Sequence, residues 1–144
     1  MIVSALIWVL IIMGILAIMK PAHAETAYPA NLWQGLIAEA TSDGYDGMYA
    51  VACVVRNRLN IGMNTGLCGL KRKDLEKFCQ REGQKQCQIA KKIIYKVFID
   101  NSFDVTKGAT NFECIERYGK PSWAKNMVIT CKIGEHTFMK VRTK

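Results

Sequence analysis

Residues 36–59 read LIAEATSDGYDGMYAVACVVRNRL, and this stretch decides the fold. In its second half Met48, Val51, Val54, Val55 and Leu59 recur with the 3.6-residue period of a helix buried on one side. That spacing predicts a helix from about Asp46 to Leu59. The first half closes a shorter helix, Leu32 to about Ala40, in which Leu32, Leu36 and Ala40 are four residues apart and Asn31 stands at the N-cap. Asp43-Gly44 and Asp46-Gly47 place a turn between the two helices.

Downstream, Gly62 to Gly69 reads as loop, and Lys71 to Gln80 holds a short helical turn. A third helix spans about Gln86 to Ile99. Ile89, Ala90, Ile93, Ile94, Val97 and Phe98 form its inner face, and Lys91, Lys92 and Lys96 face water. Beyond a junction near residues 100–108 the period falls to two. Ala109 to Ile115 and Met127 to Ile133 read as strands, and in the second Met127, Ile129, Cys131 and Ile133 alternate with less apolar neighbours. Gly134-Glu135 turns the chain into a last strand, about His136 to Val141. Helices first and a small antiparallel sheet last make an α+β arrangement. Residues 25–144 are too few for two independent cores and read as one domain.

Upstream, Ile2 to Met19 is apolar except for Ser4 and Gly14, and Lys20-Pro21-Ala22-His23-Ala24 follows. Ala22-His23-Ala24 has the small-x-small form that precedes a signal-peptidase cut, so residues 1–24 are predicted to be a signal peptide cleaved after Ala24. The run is also just long enough to serve as a retained anchor. The expected address is exported: periplasmic, cell wall or extracellular. No second long apolar run exists, which excludes a multi-span membrane protein.

Loss of Lys20 with the leader leaves a net charge of +7, which favours anionic envelope polymers as partners. Nucleic acid is not expected, because Lys71-Arg72-Lys73 and Lys91-Lys92 lack interleaved aromatic residues. Membrane contact is expected only through an uncleaved N-terminal segment. All six cysteines follow residue 24, and in an oxidising compartment they allow up to three disulfides. Cys79–Cys87, Cys53–Cys68 and Cys114–Cys131 are the simplest set. Without a C-x-x-C, and with His136 the sole histidine after the leader, a zinc site is not expected, nor is any cofactor.

Glu39 is the candidate for chemistry. It lies near the C-terminus of an otherwise uncharged helix, where the dipole and apolar neighbours both favour its protonated form, as a general acid requires. Glycoside cleavage usually needs a second carboxylate. Asp43 and Asp46 are close by but also suit the turn and the helix cap. Glu113, Glu116 and Glu135 lie in the sheet region with their facing unknown. If none aligns, the substrate must supply its own nucleophile. No G-x-S-x-G, P-loop or G-x-G-x-x-G occurs. A cysteine paired with His136 could act as a nucleophile, but disulfides account better for the cysteines. Trp33, Trp123, Tyr45 and Tyr118 can stack on sugar rings or serve as boundary residues.

Three blocks in order resemble the SleB-like, spore-cortex-lytic type of cell wall hydrolase. The first is Leu36-Ile37-Ala38-Glu39-Ala40, then Asp43, Gly47, Ala50-Val51-Ala52 and Val54-Val55-Arg56-Asn57-Arg58-Leu59. The second is Cys68-Gly69-Leu70 with Phe78. The third is Gly108-Ala109-Thr110 with Phe112, Pro121 with Trp123, and Ile133-Gly134 with His136 and Phe138. The resemblance covers about residues 32–139. It implies a lysozyme-like or lytic-transglycosylase-like fold, with a helical lobe followed by a small β lobe. It implies cleavage of the β-1,4 bond between N-acetylmuramic acid and N-acetylglucosamine in peptidoglycan glycan strands. The family's catalytic glutamate falls on Glu39, and Asp43, Tyr45, Thr110, Phe112, Trp123 and His136 become candidate substrate-binding residues. Asn111 and Met139 depart from the family's pattern, which bears on substrate preference. Two other functions compete. One is a catalytically inactive glycan-binding protein on the same fold. The other is a basic exported effector acting on membranes, for which no mature helix is rich enough in both Lys and Trp.

Overall fold

The computed structural model describes residues 26–142; the predicted signal peptide and its cleavage point lie outside the described residues. Helix α1 is Leu32–Ala40 and buries Leu32, Leu36, Ile37 and Ala40. Asn31 does not cap it through its side chain. Its carbonyl instead accepts the N–H groups of Gln34 and Gly35 at 3.0 and 3.4 Å. A single 3-10 turn, Thr41–Asp43, leads directly into α2, Gly44–Asn60. That turn is why α2 begins two residues before the predicted Asp46. Met48, Val51, Val54 and Val55 are fully buried, as their period requires, so α2 is the central rod of the core.

The end of α2 fastens the chain that follows the helices. Buried Arg56 donates from Nη1 to the carbonyls of Val97 and Ser102, both at 2.8 Å, and to Asn101 Oδ1 at 3.0 Å. Asn57 Nδ2 donates to Asp104 Oδ2 and to the Ala109 carbonyl, both at 2.9 Å. Arg58 donates to the carbonyls of Asn64 and Thr110. The predicted helical turn after residue 70 is the eight-residue helix α3, Leu75–Glu82, preceded by a 3-10 turn at Cys68–Lys71. Helix α4, Gln84–Ile94, starts two residues before the predicted Gln86 and ends in a π turn, Tyr95–Ile99.

The β lobe is a three-stranded antiparallel sheet in the order β1-β3-β2, with β1 Asn111–Glu113, β2 Met127–Ile133 and β3 His136–Val141. Phe112 pairs with Phe138, and Ile133 with His136. Strand β1 is shorter than the predicted 109–115. The carbonyls of Ala109 and Thr110 are taken by Asn57 and Arg58, and Ile115–Tyr118 coils into a short helix, α5. The expected alternation in β2 fails at Ile129, which is 55% exposed. The pairing slips between Ile129 and Cys131, and the bulge moves Ile129 to the outer side.

All six cysteines are free thiols, so the expected Cys79–Cys87, Cys53–Cys68 and Cys114–Cys131 disulfides are not formed. Proximity along the chain misled that pairing. Cys53 Sγ points to the Phe103 carbonyl at 3.9 Å, whereas Cys68 is exposed at the start of the 3-10 turn Cys68–Lys71. Cys131 Sγ points to the Val105 carbonyl at 3.7 Å, while Cys114 lies between β1 and α5. Cys87 Sγ meets the carbonyl of Cys79, not its sulfur, at 3.8 Å. Burial pushes the Cys53 thiol up to about 12. Only the thiolate reacts, so at pH 8 roughly one Cys53 in ten thousand is competent. Iodoacetamide should therefore label Cys68 in the native protein and reach Cys53 only in denaturant, as peptide mass spectrometry would read.

Candidate active site

Glu39 occupies the last turn of α1, half-buried, and its Oε1 accepts the N–H of Gly69 at 2.6 Å. Gly69 reaches it because the 3-10 turn lies directly on α1. A Cβ at position 69 would stand 2.5 Å from Ala38 Cβ and 3.3 Å from Glu39 Oε1. One oxygen of the carboxylate is thus fixed by a short, charge-assisted hydrogen bond. Among the described residues no group bonds the other. Gly69→Ala should push the turn off α1, break the Gly69–Glu39 hydrogen bond and lower the melting temperature. The check is a thermal melt beside the parent, with the fold kept.

Glu39 opens into a groove of about 410 Å³ between the two lobes. Ser42, Gly66 and Cys68 join it from the helical side. Phe112, Glu113, Cys114, Arg117 and Tyr118 line the opposite wall, and Glu135 and His136 close it from the β2–β3 hairpin. Of the sheet-region carboxylates, Glu113 and Glu135 therefore line the groove, while Glu116 pairs with Lys132. Glu113 Oε1 accepts the Cys114 N–H at 3.0 Å, and Glu135 lies 3.7 Å from exposed Arg117.

Behind the groove wall, Asp43 Oδ2 lies 2.6 Å from His136 Nδ1, and both side chains are almost wholly buried. Asp43 Oδ1 accepts the N–H of Glu135 at 3.1 Å. The hairpin turn sits so tightly on this carboxylate that a Cβ at Gly134 would strike Asp43 Cγ, and Gly134 also has a φ of +59°. One aspartate thus joins the helical lobe to the tip of the sheet.

The structure gathers Glu39, Phe112 and His136 in one groove, with Asp43 immediately behind. Phe112 meets His136 edge-on at 5.1 Å. Thr110 does not line the groove; its hydroxyl bonds Asn111 Oδ1 at 3.0 Å and its carbonyl serves Arg58. Tyr45 lies elsewhere, stacked at 6.0 Å on Tyr49 in a second cavity of about 550 Å³ bordered by Phe103. Trp123 is 46% exposed on the 3-10 turn Ser122–Asn126 and does not border the groove. Sequence reasoning missed Ser42, Cys68, Arg117 and the Gly69 amide as parts of the site. The Cys68-Gly69 pair carried the one available signal. Among the described residues no three His, Cys, Asp or Glu side chains gather so as to hold a metal ion. No helix among them is long and apolar enough to cross a membrane.

A helical lobe, a small antiparallel sheet and an acidic, aromatic-edged cleft between them define an α+β hydrolase domain of lysozyme-like arrangement. Residues 42–139 match the family model described as Cell Wall Hydrolase, and the chain belongs to that family. It is thus a cell wall hydrolase, a class that acts on peptidoglycan. The match begins three residues after Glu39 and takes in Asp43, the groove wall and His136. No match was found among curated proteins or solved structures.

Proposed function

We propose that the chain cleaves the β-1,4 bond between N-acetylmuramic acid and N-acetylglucosamine as a lytic transglycosylase, with Glu39 as its acid. The observation that carries this reading is the placement of Glu39 in the interlobe groove, with one oxygen held by the Gly69 amide. Glu39 protonates the glycosidic oxygen, and the muramic-acid C6 hydroxyl attacks C1 to close an anhydro ring. The proton released by that hydroxyl returns to the enzyme, to Glu39 itself in the one-carboxylate scheme. Phe112 offers an aromatic edge to the sugar, and Arg117 and Tyr118 offer donors on the far wall. The mature form is residues 25–144, exported and held near the wall by its positive charge.

Glu113 supports a second reading. It lies on the wall opposite Glu39, where a carboxylate could activate water and make the outcome hydrolysis. Mass spectrometry of the products released from purified sacculi separates the two. Anhydro-muropeptides are expected. Reducing-end products would transfer the second role to Glu113. No release by a folded, glycan-binding protein would leave a binding module.

A further inference from the structure

The Asp43–His136 pair stands at the edge of the groove, with His136 lining it and Asp43 behind. A carboxylate can only accept, so the 2.6 Å contact places the proton on Nδ1. Both Asp43 oxygens are occupied, one by His136 and one by the Glu135 amide, so Asp43 orients the ring and is not itself available to substrate. The ring plane is fixed further by the edge of Phe112 at 5.1 Å and by Phe138 at 6.3 Å. Nε2 has no hydrogen-bond partner among the described residues. Among the described residues no buried side-chain nitrogen or oxygen lacks a partner, so Nε2 is accessible, and His136 borders the Glu39 groove. In the neutral ring a proton on Nδ1 leaves Nε2 with a lone pair. A buried carboxylate fixing one nitrogen so that the other can take a proton is the arrangement that makes histidine a general base.

We infer that His136 Nε2, held by Asp43, is the general base of the reaction, taking the proton of the attacking hydroxyl while Glu39 serves as the acid. The inference rests on the reading of Glu39 given above. As the C1–O4 bond breaks, O4 takes the proton of Glu39. As O6 bonds C1, the O6 proton passes to Nε2. The enzyme is left with a Glu39 carboxylate and a His136 imidazolium beside Asp43, and proton exchange with solvent restores both. Division of the two proton transfers between two groups removes the need for one carboxyl to reverse its role within the same event. Asp43 is a positioning residue in this scheme and His136 a catalytic one.

The test uses soluble glycan strands and three variants of the full chain, His136→Gln, His136→Ala and Glu39→Gln, with a thermal melt for each. His136→Gln keeps hydrogen-bonding capacity but cannot carry the proton. It should lower kcat by roughly 10²–10⁴-fold, the ordinary contribution of a general base, with KM changed less than about threefold. Free imidazole should restore turnover to His136→Ala and not to Glu39→Gln. A merely structural histidine would show neither the split between kcat and KM nor the rescue. A folded His136→Gln protein with kcat within about threefold of the parent overturns the inference, as does a loss confined to KM. If His136→Ala does not fold, the Gln variant decides. Retained activity in Glu39→Gln overturns the reading of Glu39 instead, so the two failures are told apart.

Discussion

Glu39→Gln should lower kcat at least about 10³-fold while leaving the melting temperature and glycan binding close to those of the parent. The two side chains are nearly isosteric. The Gln amide oxygen can still accept the Gly69 N–H that Glu39 Oε1 accepts at 2.6 Å, so the α1–turn contact survives. What is lost is the proton delivered to the leaving oxygen, and with it the acid's share of the rate, which alone reaches roughly 10²–10⁴-fold. Glu39 is half-buried, so the exchange leaves no stranded buried charge. Digestion of sacculi and a pull-down on the same material read the two properties separately. A variant that binds and does not cut fits the acid role. One that still cuts removes Glu39 from the chemistry and makes Glu113, on the opposite wall, the next carboxylate to replace.

The sequence disclosed the elements far better than the connections between them. The helix over Leu32–Ala40 follows from its four-residue spacing and the strand Met127–Ile133 from its alternation, while His136–Val141, whose first four residues are all buried, is legible from the turn before it. Errors gathered where a neighbour overrides a local pattern. Ile129 obeys the period of two but lies on the outer side of a bulge, which pairing with β3 creates and alternation cannot reveal. The strand predicted from Ala109 gives its first two carbonyls to α2. The same rule applies to the site. Glu39 stood out as a lone charge in an apolar helix, a local signal. Asp43 reads locally as a turn or cap residue, and it does end the 3-10 turn at the N-cap position of α2, but its side chain makes no capping bond and serves the hairpin instead. Its partner is 93 residues away, and only the fold brings His136 Nδ1 to 2.6 Å from it. Tyr45 and Trp123 were aromatic residues in plausible places, and exposure without position did not put them in the groove.

Arg56 shows how much a surface-looking residue can carry once its partners are known, and its replacement is expected to be the most damaging to stability. It lies in the charged run Arg56-Asn57-Arg58, yet it is 7% exposed. Among the described residues no carboxylate pairs with it. Its charge is met by the carbonyls of Val97 and Ser102 and by Asn101 Oδ1. These three residues lie where the π turn ends and the chain swings across to the β lobe, and Asn101 holds a φ of +49° there. Arg56→Met keeps most of the aliphatic volume, so the cavity it leaves is small. It strands two backbone carbonyls, each worth about 1–3 kcal/mol when left unpaired away from water. A loss of about 3 kcal/mol follows, or roughly 10 °C in Tm for a domain of this size. Arg58→Met is the control. Arg58 is only half-buried, so the carbonyls of Asn64 and Thr110 can turn to water, and the loss should stay near 1 kcal/mol. Urea unfolding of both variants, with the slope unchanged from the parent, reads the difference. Equal losses would mean that the segment 97–102 is held by its own apolar contacts, chiefly Val97 and Phe98 in the core, and that Arg56 merely accompanies it. A loss confined to Arg56 would make the last turn of α2 the joint between the lobes on the side away from Asp43.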